Sequence, residues 1–199
     1  MDIQLVYQHL DFIVVDKPCG VSTHASPGDN APNVVDLLRP RFPSLHPLSR
    51  LDNGTSGLLL LALNAEASTN IEIVQKSYLA QVFGVAPAAG VIEKELVTKR
   101  FGTRVKKRQK AESSYRRLKH DAEGSCLLIH IETGRHHQIR KHLRSIGHPV
   151  IGDFRHGYKA KNLEYQEKLG TRLRMLLHCW RLLLLYQGTP FQVKLRPTK

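Results

Sequence analysis

The chain has 199 residues, of which 41% are hydrophobic, enough to bury a core. Thirty Lys and Arg against 17 Asp and Glu give a formal charge of +13, which predicts a polyanionic partner; we favour nucleic acid over an acidic membrane surface. No apolar window approaches the ~20 residues that cross a bilayer and no secretory signal follows Met1, so we expect a cytoplasmic protein without membrane association.

The first predicted elements are a strand and a short helix. Phe12–Val15 is a β-branched apolar run that is closed by Asp16–Gly20, which contains Pro and Gly. Asn33–Leu38 has one helical face and ends before Pro40. The chain then approaches Arg50 in an extended form between prolines.

The next predicted feature is a buried strand that starts directly after a turn. Gly57–Leu63 is a strand-length apolar run opened by Gly, and Asn53-Gly54 before it is a strong turn pair. This pattern places Asp52 at the rim of the core, half removed from water. A carboxylate in that position can cap the turn or carry chemistry, and the residues alone leave both roles open.

A helix and a strand are predicted to follow. Asn64 can cap a helix over residues 65–77, with Ile71 and Val74 facing inward at helical spacing. Tyr78–Gly84 alternates and is rich in strand-forming residues, so we predict a strand there.

Residues 94–119 are predicted to form a basic hairpin, or arm. Basic side chains crowd this segment, few acids accompany them, and strand-like segments flank it. The alternative is a solvated surface segment with no partner. We favour an arm that binds nucleic-acid phosphates through Arg104, Lys106, Lys107, Arg108 and Lys110.

The C-terminal half mixes further strands with one helix. We predict a strand over Cys126–Ile131, a turn at Thr133-Gly134, a helix over 135–146 and later strands near Met175–Leu177, Leu182–Tyr186 and Phe191–Leu195. There is no strict alternation of strand and helix and no internal repeat. The sequence therefore predicts an α+β fold with a large mixed β-sheet, flanking helices and loops.

Several kinds of chemistry lack support in the sequence. The histidines near residue 137 lack metal-ligand spacing, the acids are scattered, and three distant cysteines form no C-x-x-C pair. Glycine-rich nucleotide motifs and the hydrolase elbow are missing as well. We expect neither a metal nor a cofactor. The remaining candidates for chemistry are Asp52 and the excess of positive charge.

Six ordered motifs resemble those of the RluA-type pseudouridine synthases, which convert uridine to pseudouridine in structured RNA. The resemblance runs nearly end to end, and ordered motifs at family-like spacing are more specific than any one motif. The matching segments are Asp16–Gly20 (DKPxG), Arg50–Leu61 (RLDxxTSGLLLL), Lys76–Ala80 (KxYxA), Thr133–His142 (TGRxHQIRxH), Gly147–Asp153 (GHPxxGD) and Leu176–Cys179 (LLHA in the family).

The resemblance implies roles for individual residues. Asp52 would be the covalent nucleophile, Arg140 its cationic partner, and Tyr78 would stack on the flipped uracil and help proton removal. Arg50 would enter the space that the extruded base leaves. The resemblance also implies substrate contacts by Thr55, Arg135, His137 and Gln138.

The resemblance further implies one catalytic domain over residues 1–199, with an active-site cleft across the sheet. As a difference from the family, we expect no separate N-terminal RNA-binding domain. Ser49 stands where the family usually has His, which could change how the flipped nucleotide is held. RNA is the expected partner, with tRNA slightly favoured over rRNA, and no obligate protein partner is expected. The alternatives are a non-catalytic RNA-binding or ribosome-assembly protein on the same fold, and a peripheral protein of acidic membranes.

Overall fold

The computed structural model describes residues 2–25, 31–99 and 106–197. The chain divides into two compact units, Met1–Ser77 with Leu177–Lys199 and Tyr78–Leu176. In chain order the elements are β1 (Gln4–Gln8), β2 (Phe12–Lys17), α1 (Val34–Leu38), β3 (His46–Pro47), β4 (Ser56–Ala62), α2 (Ala65–Asn70), β5 (Ile71–Phe83), β6 (Ala89–Glu93), β7 (Leu96–Lys99), β8 (Lys106–Gln109), β9 (Glu112–His120), β10 (Gly124–Ile131), α3 (Gln138–Ser145), α4 (Lys159–Leu169), β11 (Leu177–Tyr186) and β12 (Thr189–Lys194).

The first unit is built on a mixed sheet around β4. Strands β2 and β3 pair with β4 in antiparallel fashion, whereas β11 pairs with β4 in parallel. Every residue of Ser56–Ala62 is buried, as the unbroken apolar run predicted. Residues from β2, β4 and α1 form one core cluster, which includes Ile13, Val34 and Leu59.

The second unit contains an antiparallel group of strands and two helices. Strand β9 pairs with β10 and with β6. Helix α3 is tied to β9 because His142 Nδ1 lies 2.9 Å from Ser113 Oγ. The sparse helices and the mixed strand directions confirm the predicted α+β class. No helix in the described part of the chain is long and apolar enough to cross a membrane.

The predicted helix over 65–77 is mostly wrong. Asn64 does cap α2, since its side chain accepts from the Ala67 amide at 2.7 Å, but α2 ends at Asn70. From Ile71 onward the side chains alternate between half-buried and exposed, which is the period of a strand. The β-branched residues in this stretch favour that outcome.

The predicted helix over 135–146 is real but begins later, at Gln138. Helix α4 was not predicted, because it has no continuous apolar face. Its buried anchor is polar: Asn162 accepts from the Gly152 amide at 2.8 Å and donates to the Asp153 carbonyl at 3.0 Å. Of the later predicted strands, Leu182–Tyr186 lies in β11 and Phe191–Leu195 overlaps β12. The strand near Met175–Leu177 is wrong except for Leu177, where β11 begins.

The basic arm is shorter than the predicted 94–119. Strands β7 and β8 form a separate two-stranded hairpin. Residues from Glu112 onward belong instead to β9, where alternate buried residues such as Ser113 and Tyr115 suit a strand paired on both sides. Arg104 lies outside the described residues.

Candidate active site

Asp52 lies in a tight turn immediately before β4. Its carbonyl accepts from the Thr55 amide at 2.9 Å, and its side chain is half-buried, as the sequence predicted. Arg50, two residues earlier, is exposed, whereas Thr55 is buried. The first unit therefore presents a carboxylate and an exposed guanidinium on one turn.

Lys17 lies under this turn and is fully buried. Its ammonium donates to the carbonyls of Val21 at 2.6 Å, Pro18 at 2.8 Å and Asn53 at 3.2 Å, which uses all three of its donors. Burial lowers the pKa of Lys17 to about 8, and the nearby Cys19 and Asp52 oppose that shift. Lys17 thus fixes the turn and provides positive charge close to the carboxylate.

The loop after β2 holds both neighbours of Asp52. Thr23 Oγ1 accepts from the Leu51 amide and donates to its carbonyl, both at 3.2 Å. The Asn53 carbonyl accepts from the Gly20 amide at 2.8 Å, and the Asn53 side-chain nitrogen donates to the Gly20 carbonyl at 3.2 Å. Since both flanking residues are fixed, the backbone that carries Asp52 is fixed on both sides.

The far end of the turn is fixed by a buried hydrogen bond between Ser56 Oγ and His178 Nδ1, 3.0 Å apart. His178 Nε2 lies 3.1 Å from the Leu195 carbonyl, which can only accept, so Nε2 carries the proton in the neutral ring and Nδ1 accepts from Ser56. Gly57 follows with φ +108, and a Cβ there would lie 2.3 Å from the Cys179 carbonyl oxygen. Close parallel pairing of β4 and β11 therefore requires glycine at this position.

Ser49 is buried and faces β4, where its Oγ lies 3.5 Å from the Leu60 amide. This long contact is weak. The orientation shows Ser49 packed inside the first unit, so a role in holding the nucleotide stays a prediction.

In the second unit, Arg140 and Asp153 form a buried two-pronged ion pair. Nε lies 2.7 Å from Oδ2 and Nη2 lies 2.8 Å from Oδ1. Asp153 Oδ1 also accepts from the amides of Arg155 and His156. Burial raises the pKa of Asp153, but these hydrogen bonds and the Arg140 charge outweigh it, so the pKa is lowered. The pairing of Arg140 with Asp52 stays a prediction.

Gln138 is a buried hub at the start of α3. Its oxygen accepts from Thr133 Oγ1 at 2.8 Å and from the Arg135 amide at 3.0 Å. Its amide nitrogen donates to the Glu112 carbonyl at 2.7 Å and to Ser113 Oγ at 3.2 Å. These four bonds use both lone pairs and both N–H groups of the side-chain amide. Gln138 therefore holds the start of α3, and its contact with the substrate stays a prediction.

His137 and Arg135 precede α3 in an unusual backbone. His137 adopts a left-handed conformation with φ 56, and its Nδ1 lies 2.7 Å from His156 Nε2. Burial lowers the pKa of His156, and nearby cations, Arg140 first, add to this. Within the described residues, Arg135 Nε is buried without a hydrogen-bond partner. A substrate contact by Arg135 or His137 stays a prediction.

The other predicted residues have the following places. Tyr78 is buried in β5. Arg108 and Lys110 are exposed, and Arg108 makes a long contact of 3.9 Å with Glu95. Lys106 and Lys107 lie in β8. Among the described residues, no group of three or more His, Cys, Asp or Glu is arranged to hold a metal.

Sequence reasoning missed the roles of Lys17, His178 and Asp153. Each belongs to a matched motif, but none stood out by charge or periodicity. The signal that could have found Lys17 is a lysine at the end of a largely apolar strand, where a charge needs partners.

Comparison with known proteins agrees with the sequence motifs. The family model described as RNA pseudouridylate synthase matches residues 11–145. A tRNA pseudouridine synthase C from Vibrio parahaemolyticus serotype O3:K6 is 30% identical over 204 residues, covering 89% of this chain and 82% of the relative. A ribosomal large subunit pseudouridine synthase D from Nitrosomonas europaea is 29% identical, covering 90% of this chain and 57% of the relative.

Solved structures share the fold. The human RNA pseudouridylate synthase domain containing 1 matches with a TM-score of 0.77 and 24% identity, covering 98% of this chain and 84% of that one. The human RNA pseudouridylate synthase domain containing 4 has the same TM-score, 0.77, at 21% identity. The fold of this chain is therefore that of the pseudouridine synthases.

Proposed function

Because this chain belongs to the RNA pseudouridylate synthase family and is an isomerase acting on RNA, we propose that it converts a specific uridine of structured RNA to pseudouridine with Asp52 as the nucleophile. The observation that carries this proposal is the constraint on Asp52. Lys17 and the loop after β2 hold both of its neighbours, although a simple turn cap needs no such framework.

The reaction is a balanced isomerisation. The bond between C1′ and N1 breaks with the help of the Asp52 carboxylate, the uracil turns, and C5 bonds to C1′. The C5 proton leaves and N1 gains one, so the mass of the RNA does not change. A carboxylate on a constrained turn favours this chemistry because fewer orientations have to be searched before the reaction.

We assign the remaining roles from the motif resemblance. Arg140 keeps Asp52 charged and oriented, and its buried ion pair with Asp153 supports this role because the pair locks the guanidinium. Tyr78 stacks on the uracil. Arg50 enters the space that the base leaves after extrusion, which costs a few kcal/mol, and its exposure leaves it accessible to RNA.

The target that we propose is a uridine of tRNA. The Vibrio parahaemolyticus relative, which is named for action on tRNA, is matched over most of its length, whereas the ribosomal relative is matched over 57% of its own. Ribosomal RNA is the second candidate.

The direct test is release of tritium from RNA that carries C5-labelled uridine. We expect the purified protein to release tritium from unfractionated tRNA and to release less from ribosomal RNA. Inactivity on both RNAs, together with tight RNA binding, would favour the non-catalytic RNA-binding alternative.

The basic arm provides a prediction on affinity. Replacing Lys106, Lys107 and Arg108 together by Gln should weaken RNA binding, because each cation that meets a phosphate releases counterions. The slope of log affinity against log salt should flatten by about 2 to 3. Filter binding over a salt series measures this slope, and an unchanged slope would exclude the arm as an RNA contact.

The bond between Ser56 and His178 provides a prediction on turnover. Ser56→Ala and His178→Ala should each lower kcat about tenfold with little change in KM, because the loss of a buried hydrogen bond costs 1–3 kcal/mol. The double variant should be no worse than His178→Ala, and His178→Asn should recover part of kcat by restoring an acceptor near Nδ1. Additive losses would show that this bond does not position the turn.

A further inference from the structure

Two cations converge on one aromatic ring in the second unit. The guanidinium carbon of Arg144 lies 4.4 Å from the centroid of the Tyr158 ring, and Lys161 Nζ lies 5.4 Å from it. Both distances are within the reach of cation–π attraction, about 6 Å. Tyr158 is half-buried and its hydroxyl donates to the Gly147 carbonyl at 3.3 Å, whereas both cations are exposed. A fixed ring therefore holds two like charges side by side at the surface.

Helix α4 adds a third cation to this surface. Tyr158 is its N-cap, with no side-chain capping hydrogen bond, and Lys159 and Lys161 occupy the first turn, which contains no acid. The positive end of the helix dipole lies here, so cations in this turn lower the stability of the helix. We define Arg144, Tyr158, Lys159 and Lys161 as the Tyr158 patch.

The opposite end of α4 shows the contrast. Lys168 lies 3.6 Å from Glu123 and 3.4 Å from Glu164, so its charge is matched by acids. Within the described part of the chain, none of the three cations of the Tyr158 patch makes an ion pair with an acid. The helix thus neutralises its lysine at one end and concentrates unmatched positive charge at the other.

We propose that the Tyr158 patch binds RNA phosphates outside the target nucleotide. This inference rests on the proposed function, since it names a second contact of the same RNA. Phosphates would relieve the repulsion among the cations, and a guanidinium stacked on a ring still presents its N–H edge to an anion. A membrane surface fits less well, because the exposed Leu163 and Leu169 lie on different sides of α4 and form no apolar face.

The test measures binding of unfractionated tRNA over a salt series. The variant with Arg144→Gln, Lys159→Gln and Lys161→Gln should bind more weakly, and its salt slope should flatten by about 2 to 3. Lys168→Gln is the matched control on the same helix and should bind as the wild type does. Tyr158→Leu should weaken binding less than the triple change, because the three cations remain and only the aromatic ring that positions them is lost.

The outcomes are distinct from those of the catalytic test. An unchanged slope in the triple variant, or an equal change in Lys168→Gln, would overturn the inference. The inference would also be overturned if the triple variant lost binding to phosphatidylserine vesicles while its salt slope for RNA stayed as in the wild type. Tritium release by the wild type decides the proposed function separately.

Discussion

Asp52→Asn should abolish pseudouridine formation, with a fall in kcat on the order of 10⁴-fold or more, as expected for loss of a covalent nucleophile. The amide has nearly the same shape as the carboxylate, and the turn is held through the backbone of Asp52 and its neighbours. The variant should therefore fold and bind RNA as the wild type does. Tritium release and filter binding on the same preparation measure both quantities.

Asp121→Asn is the matched control for that prediction. Asp121 also lies in a turn just before a strand, and its Oδ1 accepts from the amides of Glu123 and Gly124, both at 2.9 Å. This is the purely structural use of Asp before a strand. The control should keep full turnover. If Asp52→Asn also kept turnover, Asp52 would be a turn cap and the nucleophile would lie elsewhere.

Arg140→Met should lower kcat by about 10²–10³-fold, the usual effect of losing one charge-stabilising donor, while RNA affinity changes little. It should also lower the free energy of unfolding by about 3–5 kcal/mol, because Asp153 is left buried without its cation. Denaturant unfolding and tritium release must therefore be measured together.

A double variant separates the two effects. In Arg140→Met with Asp153→Asn, position 153 no longer carries a buried charge that lacks its cation, and the side-chain oxygen of Asn can still accept from the amides of Arg155 and His156. We expect stability to recover by a few kcal/mol while kcat stays low. Recovery of kcat together with stability would show that Arg140 acts only on the fold.

The ion pair also fixes the direction of a pH effect. The pKa of Asp153 is lowered in the folded protein, so the pair contributes fully above the ordinary Asp value of about 3.9. That contribution is lost as pH falls through the lowered pKa. Wild type and Asp153→Asn should accordingly converge in stability under strongly acidic conditions.

Local sequence signals identified the strongest elements. The run after Gly57 could be recognised as a buried strand, and the turn pair before it placed Asp52 correctly at the rim of the core. Asn64 marked the start of α2. These features depend on neighbouring residues, which a sequence displays directly.

Features that depend on distant partners could not be predicted in this way. Helix α4 has a polar buried anchor in Asn162, so its pattern lacks an apolar stripe. The spacing of Ile71 and Val74 is compatible with a helix and with a strand, and pairing within a sheet favours the strand. The partner of Arg140 within its unit is Asp153, which no charge pattern indicated.

The most direct measurement is a map of pseudouridine in cellular RNA at single-nucleotide resolution, from cells that lack the encoding gene and carry either the wild type or Asp52→Asn. We expect a uridine in tRNA to be modified only when the wild type is present. A map that is identical in all strains, or a modification that Asp52→Asn restores, would contradict it.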